Sequence, residues 1–248
     1  MNRLLAPILA AFLLSSPATA FDVTTMTDEE RAAFQSEVRA YLLQNPNVIM
    51  EAVAALEEAN AAQQAQADQD LVRDNASAIF DDGYSWVGGN PEGDITLVEF
   101  LDYRCGYCRR AHGEVAELLE SDGNIRLIVK ELPILGEESL LAARFAIAAK
   151  QVAGDAEYKL LNDALMTYNA EINEKTLRRL SNTLALDSDA IMAAMDSDAV
   201  TQEITQTRAL AQLLQINGTP TFVMEDQLLR GYLPLEQMQA LVAETRSN

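Results

Sequence analysis

The chain is poor in cysteine, histidine and basic residues. It has two cysteines, one histidine, and 18 lysines and arginines against 38 aspartates and glutamates. Two cysteines three positions apart close only a tiny loop, so they cannot cross-link distant elements as structural disulfides do. A structural zinc site needs four such ligands and is poorly supported, so no metal site is predicted. The formal net charge of −20 argues against nucleic acid and anionic lipid as partners.

Long apolar runs are absent after the N-terminus. Residues 1–20 combine Arg3, an apolar run over 4–14 and the small-residue pattern of 18–20, as in a secretory signal peptide. That run is too short to span a bilayer. The mature chain is therefore predicted to begin near Phe21 and to be exported to a periplasm, where disulfides persist.

Both cysteines lie in one segment, Asp102-Tyr-Arg-Cys-Gly-Tyr-Cys-Arg-Arg-Ala-His112. The run before them, 95–101, predicts a strand, and 107–120 predicts a helix. A thiol at a strand-to-helix turn meets free backbone N–H groups and the positive end of the helix dipole, which favour the thiolate. The thiolate is the reactive species in disulfide exchange. Cys105 is therefore predicted to be the exposed nucleophile, and Cys108, one turn further into the helix, the more covered resolving thiol.

Positively charged or titratable side chains surround this motif in an otherwise acidic chain: Arg104, Arg109, Arg110 and His112. We interpret the arginines as support for an anionic Cys105, with a substrate-contact patch as the alternative. His112 lies four residues after Cys108 on the same helix face. It is interpreted as a partly exposed helix residue, with a proton relay or a copper ligand as alternatives.

The remaining pattern predicts an α/β fold. Strands are predicted at 84–87, 95–101, 125–130, 221–224 and 228–230. A block of helices fills about 135–215, between the third and fourth strands. This order indicates a small mixed sheet with an inserted helical domain.

The region before this domain, residues 21–70, is predicted to be helical. Thr27 and Glu30 match a capping box, and apolar residues recur from Phe34 at helical spacing. Residues 57–70 hold alanine, glutamine and acids, which predicts a solvated helical linker with little contact to a core. A short amphipathic pair joined through such a linker needs a partner for its apolar face, so we predict an oligomerisation stalk; packing on the main domain is the alternative.

Residues 71–248 resemble the thioredoxin superfamily and, within it, the DsbA-like group with a helical insertion. The resemblance rests on Cys105-Gly106-Tyr107-Cys108 and on Gly218-Thr219-Pro220 just before a strand. It implies that Pro220 is a cis-proline packed against the cysteines, with Thr219 presenting its backbone to an extended substrate strand. A cis X–Pro bond is a minority state that folded structure must hold in place.

Glu99 is a further predicted site residue. It shares one strand face with Ile95, Leu97 and Leu101, so it should point inward, and the DsbA-like group carries a buried acid there. Burial raises a carboxyl pKa, and such a group can accept or relay the proton of Cys108. Lys130, on the next strand, is predicted to be its charge partner.

The dipeptide Gly106-Tyr107 lacks the histidine that strong oxidants of the DsbA type place between their cysteines. We therefore expect the pKa of Cys105 to lie nearer the middle of the range of about 3.5–7.5 seen for activated cysteines.

Residues 34–52 resemble the N-terminal region of ScsC-like proteins (suppressor of copper sensitivity). That region precedes a DsbA-like domain with a Cys-Gly-Tyr-Cys site and in some members drives trimerisation. Threonine before the proline also resembles the isomerase branches. The resemblance implies a periplasmic disulfide isomerase or reductase that acts on thiols or disulfides of exported proteins and is kept reduced by a membrane redox partner. A homotrimer is the implied assembly, and the Cys105–Cys108 disulfide is the redox group, with no other cofactor.

Three alternatives stay open. The first is a monomeric dithiol oxidase that introduces disulfides. The second is a copper-tolerance protein whose two thiols bind Cu(I), since soft thiolates suit that ion. The third is a binding module with an inert disulfide.

Overall fold

A computed structural model of the chain describes residues 24–247, so the predicted signal peptide lies outside the described residues. The elements within that range are, in chain order, α1 (Asp28–Gln44), α2 (Asn47–Asp74), α3 (Ala76–Phe80), β1 (Trp86–Gly89), β2 (Ile95–Leu101), α4 (Gly106–Asp122), β3 (Ile125–Glu131), α5 (Glu137–Ala153), α6 (Asp155–Thr167), α7 (Glu174–Thr183), α8 (Ser188–Ala194), α9 (Asp198–Leu213), β4 (Thr221–Met224), β5 (Gln227–Arg230) and α10 (Leu235–Thr245). None of these helices is both long and apolar enough to cross a membrane.

The strands form one mixed sheet in the order β1-β3-β2-β4-β5. β2 and β3 are parallel and joined through α4, whereas the other three pairs are antiparallel. The helices α5 to α9 lie between β3 and β4 in the chain. The predicted mixed sheet with a helical insertion is confirmed.

Side chains alternate between two buried faces of this sheet. On one face, β2 and β3 contribute Ile95, Leu97, Leu101, Leu127 and Val129 to a core with α4, α5 and α6. The opposite face packs against α3, the end of α2 and α9 through a second core: Val72, Ile79, Val98, Phe100, Ile128, Leu210 and Leu214. Both central strands are therefore covered on both sides, which is usual for parallel pairs.

The polar stretch 57–70 is helical, as predicted, but its end contacts the core, which was not predicted. It belongs to one continuous helix, α2, because alanine and glutamine favour helix and nothing in the run breaks it. Residues 57–67 are exposed, but Asp68 is buried. Its carboxylate accepts two hydrogen bonds from the Arg230 guanidinium, one of them 2.9 Å from Nη2 to Oδ1. The last turns of α2 therefore contact the core.

The described chain divides into two compact units between Ala59 and Asn60, within α2. In the N-terminal unit, Thr27 caps α1: Glu30 N donates to Thr27 Oγ1 at 3.3 Å, and Thr27 N donates to Glu30 Oε2 at 2.9 Å. No residue of α1 is buried. Several large apolar side chains of this unit are exposed in the monomer: Phe34, Val38, Tyr41, Leu43, Ile49, Met50, Val53 and Leu56.

Candidate active site

The turn between β2 and α4 is held by a buried carboxylate. Asp102 is 1% exposed, and its Oδ2 accepts the backbone N–H groups of Ile134 (2.8 Å) and Leu135 (3.0 Å). Its Oδ1 accepts the N–H of Arg104 at 2.8 Å, and its carbonyl accepts the N–H of Cys105 at 3.0 Å. Asp102 thus ties the cysteine turn to the segment after β3. Sequence reasoning missed this role because the partners are distant in the chain.

Cys105 is the N-cap of α4, and Cys108 lies in its first turn. Cys108 is fully buried, while Cys105 is 7% exposed. Cys108 is more buried than Cys105, as predicted, but the prediction of an exposed Cys105 was wrong. The reason is the loop before β4, which covers the sulfur: Cys105 Sγ lies 3.0 Å from the carbonyl oxygen of Thr219.

The pKa values of the two thiols are shifted in opposite directions. The pKa of Cys105 falls from 9.0 to about 5, chiefly because the Cys108 thiol hydrogen-bonds to its sulfur. The Thr219 side chain and the backbone N–H groups of Cys108 and Tyr107 lower it further, against the cost of burial. The same hydrogen bond raises the pKa of Cys108 far above its ordinary value, and burial raises it further. In this dithiol state, Cys105 is therefore a thiolate at neutral pH while Cys108 keeps its proton.

Glu99 lies in the core face that also holds Cys108, at 2% exposure. Its Oε1 has no hydrogen-bond partner among the described residues. Burial, and after it the negative charge of Cys105, raises the pKa of Glu99 from 4.5 to about 8. Glu99 also acts electrostatically on Cys108. Glu99 is thus a proton-holding group close to the resolving thiol.

Lys130 does not pair with Glu99, and that prediction was wrong. In the β2–β3 register Lys130 lies opposite Phe100, whereas Glu99 lies opposite Val129. Adjacent positions point to opposite faces, so the two side chains are separated by the sheet. The Lys130 ammonium instead donates to Asp82 Oδ2 at 2.5 Å.

The Thr219–Pro220 peptide bond is cis, as the resemblance implied. Pro220 is buried, and its carbonyl accepts the N–H of Gly231 at 3.0 Å. Gly106 and Tyr107 occupy the first turn of α4, and the Tyr107 side chain is largely exposed. The structure therefore brings together six of the eight predicted residues around one sulfur pair, with Glu99 buried nearby and Lys130 across the sheet.

Most of the cations near the motif anchor α4 to the helical insertion. Arg104 pairs with Glu138, with Nε to Oε2 3.1 Å. Arg109 donates to three oxygens: Tyr103 O at 2.9 Å, Asn169 Oδ1 at 2.8 Å and Tyr168 O at 2.5 Å. His112 Nε2 lies 2.8 Å from Asp163 Oδ1, and burial lowers the pKa of this histidine.

Sequence reasoning also missed a second buried acid, Glu131. Its Oε1 accepts the hydroxyls of Tyr103 and Tyr158, both at 2.6 Å, and Tyr103 in turn accepts Asn162 Nδ2 at 3.0 Å. Burial raises the pKa of Glu131 to about 8. Strand alternation was the available signal, because Glu131 continues the face of Leu127 and Val129.

A low-pKa thiolate and a buried partner thiol, set beside a cis-proline loop, define a thioredoxin-like thiol–disulfide exchange site. The family comparison agrees: the profile described as "Thioredoxin" matches residues 81–244, and the chain belongs to that family. A second profile, "Copper resistance protein ScsC N-terminal domain", matches residues 30–63. The predicted kinship with DsbA-like and ScsC-like proteins is confirmed.

Two solved structures share the architecture. A thioredoxin-like oxidoreductase from Silicibacter pomeroyi DSS-3 is 44% identical with a TM-score of 0.65, over 69% of this chain and 98% of that one. A linker-deletion mutant of Proteus mirabilis ScsC is 22% identical with a TM-score of 0.66, over 91% of this chain and 99% of that one, which shows a shared fold. The thioredoxin-like fold with an N-terminal helical region is thereby confirmed.

Among curated proteins, the chain is 30% identical over 156 residues to the "Na(+)/H(+) antiporter NhaA 3" of Salinispora tropica. That match covers 63% of this chain but 24% of the antiporter, so the chain spans about a quarter of the length of the antiporters it matches.

Proposed function

We propose that the chain is a periplasmic disulfide isomerase or reductase that attacks client disulfides through Cys105. The observation that carries this proposal is the opposed acidity of the two thiols: a Cys105 pKa of about 5 beside a protonated Cys108. An isomerase must present a thiolate at neutral pH, because it has to attack incorrect disulfides rather than donate its own.

The proposed first step breaks one S–S bond and makes another. The Cys105 thiolate attacks one client sulfur, the other client sulfur leaves as a thiolate, and a mixed disulfide joins Cys105 to the client. In isomerisation, a client thiolate attacks that mixed disulfide, forms a new client disulfide and returns Cys105 as a thiolate. No net electrons are exchanged on this route.

The reductive route uses Cys108. Glu99 takes the Cys108 proton, and the resulting thiolate attacks Cys105 Sγ. The client sulfur leaves with the bonding electron pair, and a Cys105–Cys108 disulfide remains. Two electrons have passed to the client, and a membrane redox partner must supply two electrons to restore the dithiol.

The charge on Cys105 controls when Cys108 can attack the mixed disulfide. As a thiolate it raises the pKa values of both Glu99 and Cys108. Once Cys105 is capped in a mixed disulfide, that charge is gone. Glu99 then ionises more easily and Cys108 releases its proton more easily, so the resolving pair becomes active only when a client is attached.

We further propose that the N-terminal unit associates with other copies of the chain, as a homotrimer. The exposed apolar side chains on α1 and the first turns of α2 support this, together with the ScsC-type match over residues 30–63. In a symmetric assembly the same patch is buried in every protomer.

Refolding of a scrambled, disulfide-bonded substrate by the reduced mature protein tests the function. We expect catalysed recovery of native substrate, retained in part by Cys108→Ala and abolished by Cys105→Ala. Catalysed oxidation of a reduced peptide without isomerisation would instead identify an oxidase. Stoichiometric Cu(I) binding without turnover would identify a metal-binding protein, and both results would refute the proposal.

A further inference from the structure

Of the three arginines around the cysteine motif, Arg110 is the most exposed and has the longest ion pair. Arg104 is paired with Glu138, and Arg109 donates to three oxygens. Arg110 is 63% exposed in its side chain, and its nearest carboxylate among the described residues is Glu114, with Nε to Oε1 3.9 Å. Arg110 therefore presents a largely exposed guanidinium on the first turns of α4, whose contacts are a distant ion pair with Glu114 and the Tyr232 side chain.

Arg110 lies over one aromatic ring, which in turn contacts a second. Its guanidinium carbon lies 4.5 Å from the centre of the Tyr232 ring, a cation–π contact. Tyr107 lies beside that ring, with 6.0 Å between centroids, and is 62% exposed. We call Tyr107, Arg110 and Tyr232 the Arg110 ridge.

Glu114 orders the ridge and pairs with Arg110 only at 3.9 Å. The Tyr232 hydroxyl donates to Glu114 Oε1 at 2.5 Å, and the N–H of Leu235 donates to its Oε2 at 3.1 Å. Both carboxylate oxygens are therefore engaged. A guanidinium already ordered on a fixed ring loses less conformational freedom when it binds a carboxylate.

The ridge adjoins the Thr219–Pro220 loop that covers Cys105. Tyr232 follows Gly231, whose N–H donates to the carbonyl of Pro220 at 3.0 Å, and Cys105 Sγ contacts the adjoining Thr219 carbonyl. Tyr107 is two residues after Cys105 on α4. A strand advances about 3.3 Å per residue. Arg110 lies five residues after Cys105, about 7.5 Å along the axis of α4, so a client residue two or three positions from the cysteine bound to Cys105 spans a similar distance.

We infer that the Arg110 ridge selects client segments that carry an acidic side chain two or three residues from the reacting cysteine. This inference rests on the proposed function and names its substrate class. The net charge of −20 repels acidic segments from most of the surface. At the ridge, an exposed cation and two aromatic rings offer a carboxylate an ion pair and its neighbours an apolar contact.

Two sets of matched peptides test the inference. Each peptide holds one cysteine in a mixed disulfide with a small neutral thiol, and has glutamate or glutamine two or three residues away, on either side in turn. The second-order rate of exchange with the reduced full-length mature protein is measured by stopped flow. We expect the best glutamate peptide to react about two- to five-fold faster than its glutamine twin, the range for one exposed ion pair.

Salt and substitution identify the source of that preference. It should disappear at about 1 M salt, where the Debye length is ~3 Å, and in Arg110→Gln. Arg178→Gln, which removes the same charge from a surface arginine on α7 paired with Glu174 and Asp189, should keep it. Dipyridyl disulfide, a neutral probe, should react equally with wild type and Arg110→Gln.

Several results would overturn the inference. These are equal rates for both peptides of every pair, a preference that survives Arg110→Gln, or an equal slowing of that variant on the peptides and the neutral probe. The last result would place Arg110 in the chemistry instead of in client selection. If wild type exchanged with neither the peptides nor the neutral probe, the proposed function would fail, and the inference with it.

Discussion

Replacing Glu99 with glutamine should make the protein more stable and worse at releasing its clients. The buried carboxyl has its pKa raised from 4.5 to about 8. An acid with a raised native pKa favours the folded state fully below its unfolded pKa, and that benefit is lost as pH rises through the native value. For Glu99 the loss therefore occurs between about pH 4.5 and pH 8.

The size of this stability loss follows from the pKa shift of Glu99. Each pKa unit corresponds to about 1.4 kcal/mol, and pH 7 lies about 2.5 units above the unfolded pKa. Wild type thus loses about 3 kcal/mol between pH 4.5 and pH 7 through this group, a loss that Glu99→Gln avoids. Denaturant unfolding of the reduced proteins at both pH values should show that the free energy of unfolding of Glu99→Gln, relative to wild type, is about 3 kcal/mol higher at pH 7 than at pH 4.5.

Although Glu99→Gln should stabilise the fold, it should slow the step in which Cys108 resolves the mixed disulfide. Without a proton acceptor, Cys108 should resolve the mixed disulfide about 100-fold more slowly, the lower end of general-base contributions, while the first attack by Cys105 stays fast. Acid quenching and mass spectrometry would then detect accumulated Cys105–client disulfide. In wild type the resolving rate should rise with pH as Glu99 ionises, and the variant should lose that dependence.

Glu117→Gln provides the control, because Glu117 is exposed on the same helix as Cys108. Its stability should change by less than about 0.5 kcal/mol, and its resolving rate should match wild type. Glu99 does not have the proposed role if the stability of Glu99→Gln relative to wild type fails to increase from pH 4.5 to pH 7, or if the variant resolves the mixed disulfide at the wild-type rate.

Three further predictions concern residues outside the sulfur chemistry. Lys130→Met should cost about 3 kcal/mol, because it leaves the carboxylate of Asp82 without its buried cation, yet the resolving rate of the folded fraction should match wild type; a slowed rate would restore a role beside Glu99. Asp102→Ala should cost about 2 kcal/mol or more in denaturant unfolding, since it orphans two backbone N–H groups after β3, and an unchanged midpoint would contradict the bracing role. Phe34→Ser should lower the mass measured by light scattering to that of a monomer while Leu160→Ser, also an exposed apolar residue, leaves it unchanged; a wild-type chain that is already monomeric would contradict the proposed trimer.

Local patterns predicted the parts of the site that depend on local structure. The strand before Cys105, the helix after it and the inward direction of Glu99 follow from alternation and helix-start chemistry. The cis-proline loop came from a motif, Gly218-Thr219-Pro220, whose resemblance is specific. The strand, the helix and the direction of Glu99 need only neighbouring residues to be specified, whereas the cis-proline was implied by the family resemblance.

The failures all involve contacts between distant segments. Lys130 was assigned to Glu99 because it lies on the adjacent strand, but the strand register, which only the folded sheet sets, places it on the other face. The coverage of Cys105 depends on Thr219, more than a hundred residues later. Asp102 and Glu131 likewise gain their roles from partners that no local pattern reveals.

The most direct test is a titration of the reduced protein followed by ultraviolet thiolate absorbance, with Cys105→Ala and Cys108→Ala as references. We predict one thiolate that forms near pH 5, absent in Cys105→Ala, and a second thiol that stays protonated through neutral pH. Removing the Cys108 thiol should raise the Cys105 pKa, because that thiol is the largest stabiliser of the anion. A Cys105 that ionises near 9.0, as an unperturbed thiol does, would contradict the account.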